Sequence, residues 1–123
     1  MSNNRILGIG IDIEDINRFK RLKLSKDNRF LNRIFTEAEL EYCFSKKSVA
    51  SSLASKYAGK EAVIKACNSV DDTVVDYKKI EITNDVTGAP RVKLISDKIK
   101  RYQVMLSLSN EVDKTVGVAI VIG

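Results

Sequence analysis

The sequence has no histidine and no tryptophan, a single proline and only two cysteines in 123 residues. Without histidine, Ser-His-Asp and Cys-His nucleophilic machinery is excluded, and so is any histidine-ligated zinc site. The cysteines, Cys43 and Cys67, are too few and too far apart in sequence for a thiolate zinc site. Both fall in segments that read as helices and are expected to be reduced, cytosolic thiols. A metal would have to sit on oxygen ligands, which points to magnesium, calcium or manganese. No apolar run approaches the ~18 residues of a membrane span. The opening stretch MSNNRILGIGIDI turns acidic after a few apolar residues and has no small-residue cleavage site, so no signal peptide is expected. Nor does the chain look disordered, because apolar runs recur along it and 44% of its residues are hydrophobic. Its length suits one core, and residues 1–123 are expected to form a single domain.

The charge is uneven. Net charge is +5, and all of the excess lies in residues 1–65, which hold thirteen basic and eight acidic side chains, whereas residues 66–123 hold eight of each. Arg18, Lys20, Arg21, Lys23, Lys26, Arg29 and Arg33 cluster against Asp27 alone. Solvated faces normally mix signs. This block should project a positive field and speed encounter with an acidic partner. An acidic protein, a nucleic acid or an anionic membrane surface would each answer it. Phe19, Phe30 and Phe35 are interleaved with the basic residues. They read either as platforms for stacked bases or as anchors holding short helices to the core.

Period-two alternation predicts a strand over 6–13, with Ile9, Ile11 and Ile13 on one side and Gly8, Gly10 and Asp12 on the other. Residues 14–24 and 27–33 look like short helical pieces. Thr36 and Glu39 form a capping box that predicts a helix over 37–45. A longer helix is expected over 48–68. Strands follow at 78–84 and 91–95, joined by NDVTGAP, then a short polar, helical segment at 96–101. The strands VMLSLS (104–109) and TVGVAIVI (115–122), separated by NEVDK, have the signature of a hairpin. The fold class is therefore α+β: a mainly antiparallel sheet packed against a long helix and shorter helices.

Within the long helix, Leu53, Tyr57, Glu61 and Lys65 are four apart and share a face, with Ala54, Ala58 and Ala62 beside them. This puts a carboxylate on an apolar stripe, where an unpaired charge would cost several kcal/mol (about 3 or more). Lys65, one turn on, offers an ion pair. A cation shared with another carboxylate is the other way to compensate Glu61. Asp12 is a candidate, since it ends a strand whose same-face neighbours are glycines, and strand glycines mark close approach by a backbone or a ligand. Two carboxylates completed by water and phosphate oxygens is the usual magnesium arrangement. Glu14, two residues on, could point the same way.

The same residues carry a resemblance. GIGIDIEDINRF at 8–19 and YAGKEAVIKA at 57–66 are similar to the two signature motifs of the 4'-phosphopantetheinyl transferases. The short length, RFLNRIFTEAEL between the motifs and the S-x-S strand resemble the holo-acyl-carrier-protein synthase branch. The resemblance covers nearly the whole chain. It implies transfer of phosphopantetheine from coenzyme A to a serine of an apo acyl carrier protein, with release of adenosine 3',5'-bisphosphate. It implies magnesium held by Asp12 and Glu61, with Glu14 at a position that joins the shell in some members, and Lys65 facing the coenzyme A phosphates. Asp12, Glu61 and Lys65 would then carry the catalysis. Lys60, Ser107 and Ser109 are expected to help hold coenzyme A. The proton acceptor for the serine would be Glu61 or a magnesium-bound water. Arg18, Arg29 and Arg33 match the basic residues that dock the strongly acidic carrier, with Phe30 as an apolar anchor. The branch forms trimers with active sites between subunits, so a cytoplasmic homotrimer is expected, with no nucleic-acid or membrane partner.

The chain departs from the family in two places. Where members have a glycine-rich turn after the second motif, it has CNSVDDTVVD, with no glycine and three acidic residues. Where members have histidines around the S-x-S strand, it has Met105 and Asn110. Two other readings stand beside the enzyme: a non-catalytic homologue that binds the carrier or coenzyme A, and a small basic nucleic-acid-binding module. The latter leaves Asp12, Glu61 and the two glycines unexplained.

Overall fold

The long helix α4, Val49–Asn68, organises the structure, a computed structural model that describes residues 5–71 and 75–123. Before it come strand β1 (Ile6–Asp15) and helices α1 (Ile16–Lys20), α2 (Arg29–Ile34) and α3 (Glu37–Phe44). After it come a single 3₁₀ turn (Tyr77–Lys79) and strands β2 (Ile80–Asn84), β3 (Pro90–Leu94), β4 (Gln103–Glu111) and β5 (Lys114–Ile122). The N-terminal half of α4 packs on the helices through Phe19, Leu31, Phe35, Leu40, Leu53 and Tyr57. Its C-terminal half packs on the strands through Ala62, Val63, Ala66, Ile80, Ile82, Ala119 and Val121. One helix thus carries both halves of the core, and the expected α+β class is borne out.

Helix starts follow their capping residues. Asp15, Asn28, Thr36 and Ser48 each accept a backbone N–H of the first turn they precede. The capping box at Thr36 is complete, with Glu39 accepting the Thr36 N–H at 2.9 Å. The strands form two antiparallel sheets, one of order β1-β5-β4 and a separate β2-β3 hairpin, where the sequence reading expected one main sheet. The β2-β3 turn places Gly88 at φ +90, where a side chain would be strained. β4 and β5 run further into their turn than expected, leaving only Val112 and Asp113 between them.

Three local expectations are corrected. β1 continues through Asp15, so the helix expected over 14–24 shrinks to α1, whose start Asp15 caps. Residues 77–79 are a 3₁₀ turn rather than the start of a strand. Residues 96–101 form turns, not a helix.

The glycine face of β1 is the buried one. A Cβ on Gly10 would lie 2.1 Å from the Ala62 carbonyl oxygen and 2.5 Å from the Ala66 nitrogen. One on Gly8 would lie 2.4 Å from the Ala66 carbonyl oxygen. The space these glycines clear is filled by the backbone of α4, not left open for a ligand. The isoleucine face points outward instead: Ile9, Ile11 and Ile13 are 63%, 61% and 62% exposed.

Candidate active site

Because α4 sits directly on β1, its exposed edge meets the end of that strand. Asp12 faces α4, and the Lys65 ammonium reaches across to its Oδ1 at 3.1 Å and to the Ile11 carbonyl at 3.0 Å. The other Asp12 oxygen, Oδ2, is buried and has no hydrogen-bond partner among the described residues. A buried carboxylate oxygen without a partner is costly and calls for a counter-group. Glu14, on the same side of the strand, has its carboxyl pushed up to about 8. Burial is the main cause, followed by a hydrogen bond and repulsion from Asp12, with Arg18 pulling the other way and Glu61 adding to the rise. Glu14 therefore feels the charge of both Asp12 and Glu61.

Glu61 does not pair with Lys65, which is taken by Asp12. Its Oε1 accepts the hydroxyl of Tyr77 instead. Burial and the neighbouring Glu61 carboxylate push the Tyr77 phenol up, so it remains a donor. Sequence reasoning missed Tyr77. An aromatic residue sixteen positions beyond Glu61, past a turn of no fixed pattern, leaves no periodic signal.

The Lys60 assignment is corrected. Its ammonium is fully buried, paired with Glu39 at 2.7 Å, and donates to the carbonyls of Tyr77 and Ile80. These three partners use all three protons of an ammonium, so nothing remains to offer coenzyme A. Glu39 is equally committed, capping α3 and accepting the Ile82 N–H at 2.7 Å. The pair ties α3, α4 and β2 together.

Ser107 and Ser109 are exposed on the outward face of β4, the face that also carries Met105. Within this chain they do not meet Asp12 or Glu61. Asn110 turns the other way, into a cavity of about 310 Å³ lined by Tyr42, Ser55, Lys56 and Asn84. The Lys56 ammonium donates there to Asn84 Oδ1 and the Ile82 carbonyl, each at 2.9 Å. Burial holds it below the usual lysine range. Five residues before Glu61 on α4, Lys56 lies about 7.5 Å away along the helix axis and about 140° round it, on another side of the helix.

The basic residues of 18–33 are all exposed. Phe19 and Phe35 are 0% exposed, which leaves them as core anchors unable to stack on bases. Phe30 is half-buried and, with Tyr57, forms the bed on which the Arg18 guanidinium lies, 5.6 and 5.2 Å from the two ring centres. Arg18 also approaches Glu14 at 3.6 Å, which links the basic surface to the carboxylate cluster. Arg29 and Arg33 sit on α2 beside them. Of the divergent acidic turn, residues 72–74 lie outside the described residues. Asp71 accepts the Tyr102 hydroxyl at 2.9 Å and pairs with Arg101 at 3.3 Å.

The family model described as the 4'-phosphopantetheinyl transferase superfamily matches residues 8–121. The chain belongs to the 4'-phosphopantetheinyl transferase superfamily. It is 40% identical over 121 residues to the holo-[acyl-carrier-protein] synthase of Caldicellulosiruptor saccharolyticus, covering 94% of this chain and 95% of that one. The Neisseria meningitidis holo-[acyl-carrier-protein] synthase structure superposes with a TM-score of 0.80 at 28% identity, over 95% of this chain and 98% of that one. The Helicobacter pylori enzyme, solved in complex with coenzyme A, gives 0.78 at 30% identity, over 92% and 98%. As a member of this superfamily, the chain brings both signature motifs to one place. Asp12 and Glu14 come from the first, and Glu61 and Lys65 from the second.

Proposed function

We propose that the chain is a magnesium-dependent holo-[acyl-carrier-protein] synthase. It moves 4'-phosphopantetheine from coenzyme A to a serine hydroxyl of an acidic apo acyl carrier protein and releases adenosine 3',5'-bisphosphate. The observation that carries this reading is the convergence of the two motifs on Asp12, whose Oδ2 is buried without a partner.

The donor set fits a hard cation. Asp12, Glu61 and Glu14 offer only oxygen, as magnesium prefers. Among the described residues no three acidic, histidine or cysteine side chains are close enough to enclose an ion unaided. That suits magnesium, which keeps waters and substrate phosphate oxygens in its shell. When bound, the ion supplies positive charge for the pyrophosphate. Lys65, one turn beyond Glu61 and half-exposed, adds a second positive charge for the same phosphates. The serine oxygen forms a bond to the β-phosphorus, and the bond to the bridging oxygen breaks, so adenosine 3',5'-bisphosphate leaves. The serine proton would go to Glu61 or to a water held at the ion.

The exposed basic face docks the carrier through Arg18, Arg29 and Arg33, with Phe30 as anchor. Arg29 opens α2 and is exposed, so glutamate there suits the helix N-terminus and leaves the fold intact. In a steady-state transfer assay, Arg29→Glu is expected to raise the carrier KM about tenfold and leave the coenzyme A KM unchanged. A rise confined to coenzyme A would contradict the docking assignment.

The outward isoleucines of β1, together with Ile6 and Met105 at 69% and 60% exposure, make an apolar face across the three-stranded sheet. Such a face marks an interface, and we assign it to a homotrimer. Ser107 and Ser109 lie on the outward side of the same sheet, where a neighbour's site would meet them. Light scattering on the purified protein is expected to give three chain masses; a monomer at micromolar concentration would rule the trimer out. Cys43 and Cys67 are both free and buried, consistent with a cytoplasmic enzyme.

A further inference from the structure

Tyr77 is held from three sides, and each constraint bears on Glu61. Its main-chain carbonyl accepts the Lys60 ammonium at 2.8 Å, the residue next to Glu61 on α4. Its ring stacks on Tyr57, one turn before Glu61, with centres 5.9 Å apart and planes at 26°. Its hydroxyl donates to Glu61 Oε1. A glutamate on a partly exposed helix face has three side-chain torsions and several rotamers open to it. Here a phenol fixed at both ring and main chain holds one of its oxygens. That leaves the other oxygen in a set orientation at the end of a fixed carboxylate.

We propose that Tyr77 is a positioning residue, whose hydroxyl fixes the Glu61 carboxylate in the orientation that receives the metal. Outer partners of this kind orient a ligand before the ion arrives, and their loss costs about 10- to 100-fold in metal affinity or activity. The inference rests on the reading of Glu61 as a metal ligand. Lys60 acts on Tyr77 through its backbone, whereas Tyr57 meets both its ring and its hydroxyl, so Tyr57→Phe is the control that separates that contact from the one to Glu61.

The test uses full-length protein and Mn²⁺ as a spectroscopic stand-in for magnesium. Free Mn²⁺ is followed by electron paramagnetic resonance during titration of wild type, Tyr77→Phe and Glu61→Gln. Tyr77→Phe keeps the ring and its stack, so it should fold, with a melting temperature lowered by no more than about 5 °C for the one lost hydrogen bond. It is expected to weaken Mn²⁺ binding about tenfold and to lower kcat in the transfer assay, with the carrier KM unchanged. Glu61→Gln is expected to lose Mn²⁺ binding. Loss in Glu61→Gln with wild-type Mn²⁺ affinity and kcat in Tyr77→Phe would overturn the role of Tyr77. Wild-type Mn²⁺ affinity in Glu61→Gln would overturn the metal-ligand reading itself, and the inference with it.

Discussion

Asp12→Asn is expected to reduce phosphopantetheine transfer by about 10³-fold or more while leaving the protein as stable as wild type, or more so. The activity loss follows from its place in the site. A ligand carboxylate offers charge as well as an oxygen, and an amide offers no charge. Losing stabilisation worth about 4 kcal/mol corresponds to about three powers of ten in rate. The stability follows from the metal-free geometry. The Asp12 carboxylate lies against Glu14 and repels it, so the native aspartate carries a cost that asparagine reduces. Lys65 loses its ion pair, but its side chain is 52% exposed and water replaces the carboxylate. Functional sites commonly trade stability in this way. Thermal melts beside the transfer assay check both halves. A variant within tenfold of wild-type activity would show that Asp12 is not a metal ligand.

Gly10→Ala is expected to be among the most damaging single methyl additions in the molecule. The new Cβ would stand 2.1 Å from one backbone atom of α4 and 2.5 Å from another, and neither can turn aside as a side-chain tip can. The helix must lift from the strand. Because α4 carries both halves of the core, the strain spreads through it. Overpacking ordinarily costs about 1–3 kcal/mol, and a clash with rigid backbone belongs at or above the top of that range. For a domain of this size, about 3 kcal/mol corresponds to a fall in Tm of about 10 °C or more. Lifting α4 also moves Glu61 and Lys65 away from Asp12, so activity should fall with stability. Denaturation that matches wild type would mean that the strand and helix are not in such close contact.

How much of this was legible in the sequence depends on the range over which each signal acts. The capping box at Thr36 and Glu39, the extent of α4 and the alternation of β1 are local, and the structure bears them out. The partner of Lys65 was not legible: helical spacing offers it Glu61 one turn back, but it takes Asp12 across the strand, a contact 53 residues apart that no local signal records. The choice between a backbone and a ligand beside Gly8 and Gly10 was not legible, since both need the same empty side of the strand. Lys60 was misjudged because it neighbours Glu61 in the motif. On a helix, adjacent residues point about 100° apart, which sends one to the site and the other into the core against Glu39. Tyr77 was invisible for the opposite reason. Its contact with Glu61 depends on how the chain returns after α4, and no period or motif records that. The outward isoleucines of β1 show a further limit: alternation fixes which residues share a face, but not which face the core takes.

The most direct test of the account is intact-mass analysis of an acidic apo acyl carrier protein incubated with this protein and coenzyme A, with magnesium or with a chelator. The carrier is expected to gain the mass of one phosphopantetheine with magnesium and none with chelator. A carrier that stays unmodified with magnesium and saturating coenzyme A, across several acidic carriers, would contradict it.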